Sequence, residues 1–372
     1  MILQSPRDER PAPVFSLVAG GPFYGLRLRL GLLSPPLENL WRLTLALMAL
    51  AWVPPFVFAA AHGAAAAFLR DAEVQVRFLL CLPILIHAEG LVHRRLSPLP
   101  DQFLARGLIA PGEGPAFEAA IAGALRLRDG PAELILLGLI YALRASPWDL
   151  TLTASGQGWY YLWVSLPLYQ FLLARWFWRL VIWARLLWRL ARLRLSLLPA
   201  HPDKAGGLGF LSVAVVAFEP LLFSQSALLA AYLAGTARAP APWIHDKDVV
   251  AIFLGGILVI LGPLAFFAPA LAAARRRAWR DYGELFSRCL RDFEKRWLAG
   301  EREGEALPAS GDLQGQASID GSYQPLDRMR PVPFGLESVV RLGVWAALPW
   351  LPAALAAGRA LEVLKLLLKV LW

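Results

Sequence analysis

The chain has 372 residues, 57% of them hydrophobic and only 17% charged, with a mean hydropathy of +0.50; that balance excludes an ordinary soluble domain and describes a polytopic membrane protein. The net charge of +9 rests on arginines gathered in particular loops, as membrane topology requires, so no nucleic-acid partner is implied. Two cysteines, Cys81 in an apolar run and Cys289 in a charged one, exclude a disulfide framework.

Residues 1 to about 20 hold Arg7, Asp8, Glu9 and Arg10 among prolines and lack the apolar core of a signal peptide; they read as a disordered cytoplasmic tail. Residues 23 to 33, with Arg27 and Arg29 among leucines, read as a segment lying on the membrane. The first span is Leu40 to about Ala61, in which Pro54-Pro55 removes two backbone donors and is expected to kink or end the helix.

The second span, about Gln75 to His93, carries Arg77, His87, Glu89 and His93. Glu73 with Arg77, and Glu89 with His93, are each four apart and able to meet on one helical face, while His87 points elsewhere. Ionisable groups in a span usually face a bundle interior or a wet cavity, which makes this helix a candidate wall of a pathway. Residues 96 to 131 leave the membrane as an arginine-bearing cytoplasmic loop with a short amphipathic helix around Phe117, Ile121 and Leu125. Glu133 to about Trp148 is a short third span.

The fourth span begins at Trp159 and runs to about Arg194, roughly 50 Å of helix against a hydrocarbon core of about 30 Å, so it overshoots the bilayer. Its second half interleaves Arg175, Arg179, Arg185, Arg189, Arg192 and Arg194 with Trp176, Trp178, Trp183 and Trp188. That mixture reads as headgroup-layer chemistry. His201-Pro202-Asp203-Lys204 and then Gly206, Gly207 and Gly209 follow. They fit an anion-binding helix N-terminus, aided by Arg189 and Arg192, or else a tight turn in which Asp203 caps backbone amides.

The run Trp183-Ala-Arg185-Leu-Leu-Trp188-Arg189-Leu-Ala-Arg192, followed by Leu198-Pro-Ala-His-Pro-Asp-Lys-Ala-Gly-Gly-Leu-Gly-Phe-Leu211, resembles a bacterial family of multi-spanning membrane proteins of uncharacterised function. The likeness covers about a tenth of the chain. It implies a bacterial inner-membrane location and carries over no catalytic or binding residue.

The fifth span, about Phe210 to Ala234, places Ser212, Glu219 and Ser226 seven apart, a polar line along one face, with Pro220 breaking the backbone ladder beside the carboxylate. Glu219 serves either an ion route or a bond to a neighbouring helix. The sixth span, about Val249 to Ala273, contains Gly255, Gly256 and Gly262 for close helix contact. His245, Asp246 and Asp248 before it lack a fourth partner, so helix capping by Asp248 outweighs a metal site. Residues 274–299 form a mixed-charge amphipathic helix, 300–335 a flexible linker, and 336–372 membrane-associated helices of which the last, from Ala353 to Trp372, is either a seventh span or, the preferred reading, an interfacial helix.

The expected fold is all-α, a polytopic helical bundle of about six transmembrane helices within residues 39–273, preceded by a tail and interfacial segment at 1–38. No nucleotide, zinc or hydrolase motif is present, and no cofactor is implied. Two function classes remain. One is an oligomeric ion channel or small-solute transporter using Glu219, Ser212, Ser226, Glu89, His87 and Arg77. The other is a membrane-embedded enzyme or lipid-headgroup binder acting through His201, Asp203, Lys204 and the nearby glycines and arginines, with a structural scaffold as the fallback. The expected partners are the lipid bilayer and further copies of the chain.

Overall fold

A computed structural model describes residues 15–35, 37–144, 156–236, 246–295 and 329–352. His245, residues 300–328 of the linker and the terminal segment from Ala353 to Trp372 lie outside the described residues. Among those described, the regular structure is helical, with no strand beyond two isolated bridges.

Four helices are long and apolar enough to cross a membrane: Leu40–Ala61, Ala72–Ala105, Gly209–Gly235 and Val250–Leu285. They fit an integral membrane protein. The expected third and fourth spans are not among them, for different reasons. Helix α8 is described over Ala132–Arg144, about 20 Å of rise, and residues 145–148 of the expected span lie outside the described residues. Helix α10, Leu166–Ala191, is long enough, but Arg175 and Arg179 interrupt its apolar run.

Residues 1–14 of the expected tail lie outside the described residues, and those from Phe15 on pack into the bundle. Phe15, Leu17 and Val18 are buried, and the Ser16 hydroxyl accepts from the Val18 and Ala19 amides. Helix α1, Pro22–Arg29, follows, and its Arg27 reaches inward to the buried carboxylate of Glu89.

Helix α2, Leu40–Ala61, contains Pro54 and Pro55 without ending there. Proline at 54 cannot donate to the Leu50 carbonyl one turn back, and the Tyr160 hydroxyl donates to that oxygen instead, at 2.9 Å. After α3, Ala65–Arg70, a single long helix is built from α4, Ala72–Gln75, a π-helical stretch, Val76–Cys81, and α5, Leu82–Leu96. Asp71 caps its start, accepting from the Glu73 and Val74 amides.

Helices α6, Leu99–Ala105, and α7, Gly114–Asp129, follow, and α7 packs on α10. Helix α9, Gly156–Tyr160, leads through a second π-helical stretch, Tyr161–Ser165, into α10. Helix α11, Val213–Thr236, is the centre of the bundle: one side lies along α5 and another on α14, Leu336–Ala347. Helices α12, Asp246–Leu261, and α13, Ala268–Phe293, are joined by a 3-10 turn, Gly262–Phe267, that packs against α10.

Candidate functional site

A polar seam runs between the α4–α5 helix, the α9–α10 helix and α11. On the first, Glu73, Arg77, Cys81, Leu85 and Glu89 recur every four residues; on the second, Tyr161, Ser165 and Tyr169 do the same. Residues four apart drift by about 40° around an ideal α-helix. The wider turns of the π segments at Val76–Cys81 and Tyr161–Ser165 take up part of that drift, so both rows keep facing each other.

At one end Arg77 donates to Glu73 and to the Tyr161 hydroxyl, and its guanidinium lies 5.9 Å from the Tyr169 ring centroid. In the middle the Cys81 thiol donates to the Ser224 carbonyl at 3.1 Å, and Gln225 Nε2 reaches both the Tyr169 hydroxyl at 3.4 Å and Ser224 Oγ at 3.2 Å. Trp176 Nε1 donates to the Leu85 carbonyl at 3.1 Å. Ser165 Oγ and Arg77 Nε, both buried on this seam, have no protein partner among the described residues.

At the other end the seam meets a buried charge cluster. Glu89 Oε2 accepts from Arg27 Nη1 at 2.6 Å, and Glu89 Oε1 accepts from Arg179 Nη2 at 2.9 Å and Arg175 Nη1 at 3.2 Å. Arg175 Nε donates to Glu133 Oε1 at 2.6 Å, while Glu133 Oε2 accepts the Phe23 amide at 3.0 Å. All five side chains are buried. The Phe23 ring lies over Arg175 and Arg27, 4.5 and 5.0 Å from ring centroid to guanidinium carbon. Phe23 and Glu133 also line an apolar cleft of about 290 Å³ with Leu26, Leu137 and Leu168.

This cluster corrects the headgroup reading of the tryptophan- and arginine-rich helix. Arg175 and Arg179 point inward to Glu89, whereas Arg185 and Arg192 are exposed, so the arginines are divided between interior and surface. His93 does not meet Glu89: its Nδ1 lies 2.9 Å from Ser16 Oγ and 3.1 Å from Ser97 Oγ. Glu89 turns instead to three cations, which satisfy it better than one imidazole.

The other candidates are scattered. His87 is exposed, its Nδ1 donating to the Pro83 carbonyl at 2.9 Å. On α11, Glu219 is ion-paired with Arg341 of α14, and Ser226 donates to the Ala346 carbonyl and accepts from Trp350 Nε1 at 3.0 Å. Ser212 bonds back to the Gly209 carbonyl at 2.8 Å. Thus Glu219 and Ser226 face α14 and its following turn, on another side of α11 from the seam.

In the His201 to Gly209 turn, Asp203 Oδ1 accepts from the amides of Ala205 at 2.8 Å and Gly207 at 3.1 Å, and Oδ2 from Gly209 at 2.8 Å. Burial alone raises the Asp203 carboxyl, but these amides and His201, 3.0 Å away, hold it below the usual carboxylate range. Lys204, Gly206 and Gly207 adopt positive φ, of 58°, 63° and 96°, which folds the amides onto that carboxylate. Donors that would receive an external anion are therefore occupied from within. Arg189 stands against Gly123 of α7, and Arg192 lies over the Trp188 ring at 3.8 Å.

Arg27, Glu133, Tyr169 and Ser224 are members of the seam and cluster that spacing alone did not bring forward. Glu133 carried one signal, an acid opening an otherwise apolar helix. No protein-family model, curated protein or solved structure matches this chain.

Proposed function

We propose that the chain is a multi-spanning membrane conduit for a small ion, with its path along the seam from the Glu73–Arg77 pair to the Glu89 cluster. The observation that supports it is the succession of buried hydrogen-bonding side chains, Arg77, Cys81, Tyr169, Ser224, Trp176 and Glu89, along the faces where these helices meet. Polar groups are expensive to maintain in a membrane interior, and a row of them connecting two charged clusters is the arrangement that ion passage requires. Glu89 and Arg77 belong to this path; Glu219, paired with Arg341, serves the contact with α14. Assembly of several copies in a bacterial inner membrane is part of the same proposal.

The test is flux in proteoliposomes. Tyr169→Phe, which keeps the ring and removes the hydroxyl that meets Gln225, is expected to lower chloride or proton flux several-fold, while Glu219→Gln leaves it unchanged. Flux no greater than that of protein-free vesicles for chloride, potassium and protons alike removes the conduit reading.

One observation favours a second reading, the binding of anionic lipid headgroups. Arg275, Arg276, Arg280 and Arg330 line a cleft of about 660 Å³ beside Trp279, and the Arg330 amide donates to the Lys204 carbonyl at 2.7 Å. Arginine with tryptophan at the end of an apolar helix suits phosphate at a membrane surface. Binding to vesicles containing anionic phospholipid that survives Arg276→Gln with Arg280→Gln counts against it.

A further inference from the structure

The cluster around Glu89 does not balance. Among the described residues, three guanidinium groups, those of Arg27, Arg175 and Arg179, face two carboxylates, those of Glu89 and Glu133, which leaves an excess of one positive charge. Arginine stays protonated in proteins, so the excess cannot be discharged by losing a proton.

The hydrogen bonds are unequal in the same sense. Glu89 already accepts from three arginines, and both oxygens of Glu133 are taken, one by Arg175 and one by the Phe23 amide. Arg27 Nε and Nη2, Arg175 Nη2 and Arg179 Nη1 are buried with no protein acceptor among the described residues. A guanidinium is a rigid plane, so nitrogens left over on groups that already grip Glu89 stay near that carboxylate. Water would meet the hydrogen bonds, but only an anion meets both the donors and the charge.

We propose that Arg27, Arg175 and Arg179 hold a small inorganic monoanion of the halide class beside Glu89. All three arginines are enclosed around a carboxylate, which favours a small ion over a polyatomic organic acid. The site gives the conduit proposed above its ion class, and it rests on that reading for its use in the cell, though not for its existence.

Equilibrium stability separates the two. The full chain, purified in mild detergent, is unfolded thermally in sodium chloride and in sodium gluconate at equal ionic strength. A midpoint that rises with chloride or bromide and saturates is the expected result, as for any ligand that binds the folded state alone. Arg179→Gln, which brings the count to two cations and two carboxylates, is expected to lose that dependence. Identical unfolding of the wild-type chain in chloride and gluconate overturns the proposal, as does Arg179→Gln keeping the full halide response. Where that variant fails to fold, bromide is located in the wild-type chain by its anomalous scattering. A peak within hydrogen-bonding distance of these guanidinium groups supports the site, and a bromide-soaked crystal without one overturns it. Halide-dependent stability without flux keeps the site and removes the conduit; flux without halide dependence does the reverse.

Discussion

Replacing Glu89 by Gln keeps the shape of the side chain and removes the charge on which three arginines converge. Arg175 then keeps Glu133 while Arg27 and Arg179 lose the carboxylate they meet, and the amide offers a single acceptor oxygen where Glu89 used two. Breaking one buried pair by removing a partner costs about 3–5 kcal/mol, mainly through the uncompensated charge left behind. Three bonds to the same carboxylate are not additive, so the expected loss is at least about 3 kcal/mol rather than three times that figure. Glu219→Gln supplies the comparison. There the partner, Arg341, has a side chain 52% exposed against 5% for Glu219, and solvent at the arginine limits the effect to about 1 kcal/mol. Both variants are measured by denaturant unfolding in detergent with gluconate as the anion, so that no halide offsets the extra charge. Adding Arg179→Gln to the Glu89 variant removes one stranded cation and is expected to recover about 1–2 kcal/mol. A Glu89→Gln loss no larger than that of Glu219→Gln refutes the reasoning, since enclosed charge would then carry no penalty here.

Tyr160→Phe is expected to cost about 1 kcal/mol in the wild-type chain by stranding the Leu50 carbonyl, and close to nothing in a Pro54→Ala background, where the residue-54 amide is restored as its donor; equal losses in both backgrounds count against this. Asp203→Asn is expected to cost about 1–3 kcal/mol, because one amide oxygen replaces two charged ones beneath three backbone donors. Since the folded-state pKa of Asp203 is depressed, its stabilisation is fully present above the unfolded value of about 3.9 and is lost as pH falls through the folded value. Hydrogen exchange at the Ala205, Gly207 and Gly209 amides checks this: protection that decays between neutral pH and about pH 5 contradicts it.

What the sequence made legible follows the range over which its patterns act. The extent of Leu40–Ala61 was readable because a long, mostly apolar run marks a span locally, while the expected break at Pro54-Pro55 was not met, since Tyr160, far off in the chain, caps the carbonyl that Pro54 leaves open. The Glu73–Arg77 pair was readable because one helical turn fixes its geometry. The Glu89 cluster was not, since Arg27 lies 62 residues and Arg175 86 residues away in the chain. Spacing says which residues share a face, and it is silent on which helix that face meets. Tryptophan with arginine misled for a related reason: the composition suits a headgroup layer and equally a buried cation stacked on aromatic rings, as at Arg179 over Trp176, 5.1 Å away. The two readings of the His201 to Gly209 turn use the same glycines, and they separate only once Asp203 is seen holding the amides itself.

The seam also bears on what holds these helices together in a membrane. Lipid tails are as apolar as leucine, so burying Leu and Val between helices there supplies none of the driving force it supplies in water. The exposed leucines, valines and phenylalanines of α2, α10 and α12 need only lipid for company. Contacts that lipid cannot imitate must give the α5, α10 and α11 packing its specificity, and these are the ones on the seam: Trp176 to the Leu85 carbonyl, Cys81 to the Ser224 carbonyl, Arg179 to Glu89. The groups that would conduct an ion are thus also the groups that set the helices in register. A seam with both uses would resist simplification by mutation, because each apolar replacement along it would remove a step of the proposed path and a helix contact together. Tyr169→Phe is the exception worth using, since among the described residues its hydroxyl meets the 3.4 Å contact from Gln225 on α11 and the Cys81 thiol, which already has the Ser224 carbonyl. Loss of flux with stability nearly intact in that variant separates conduction from packing where the cluster variants cannot.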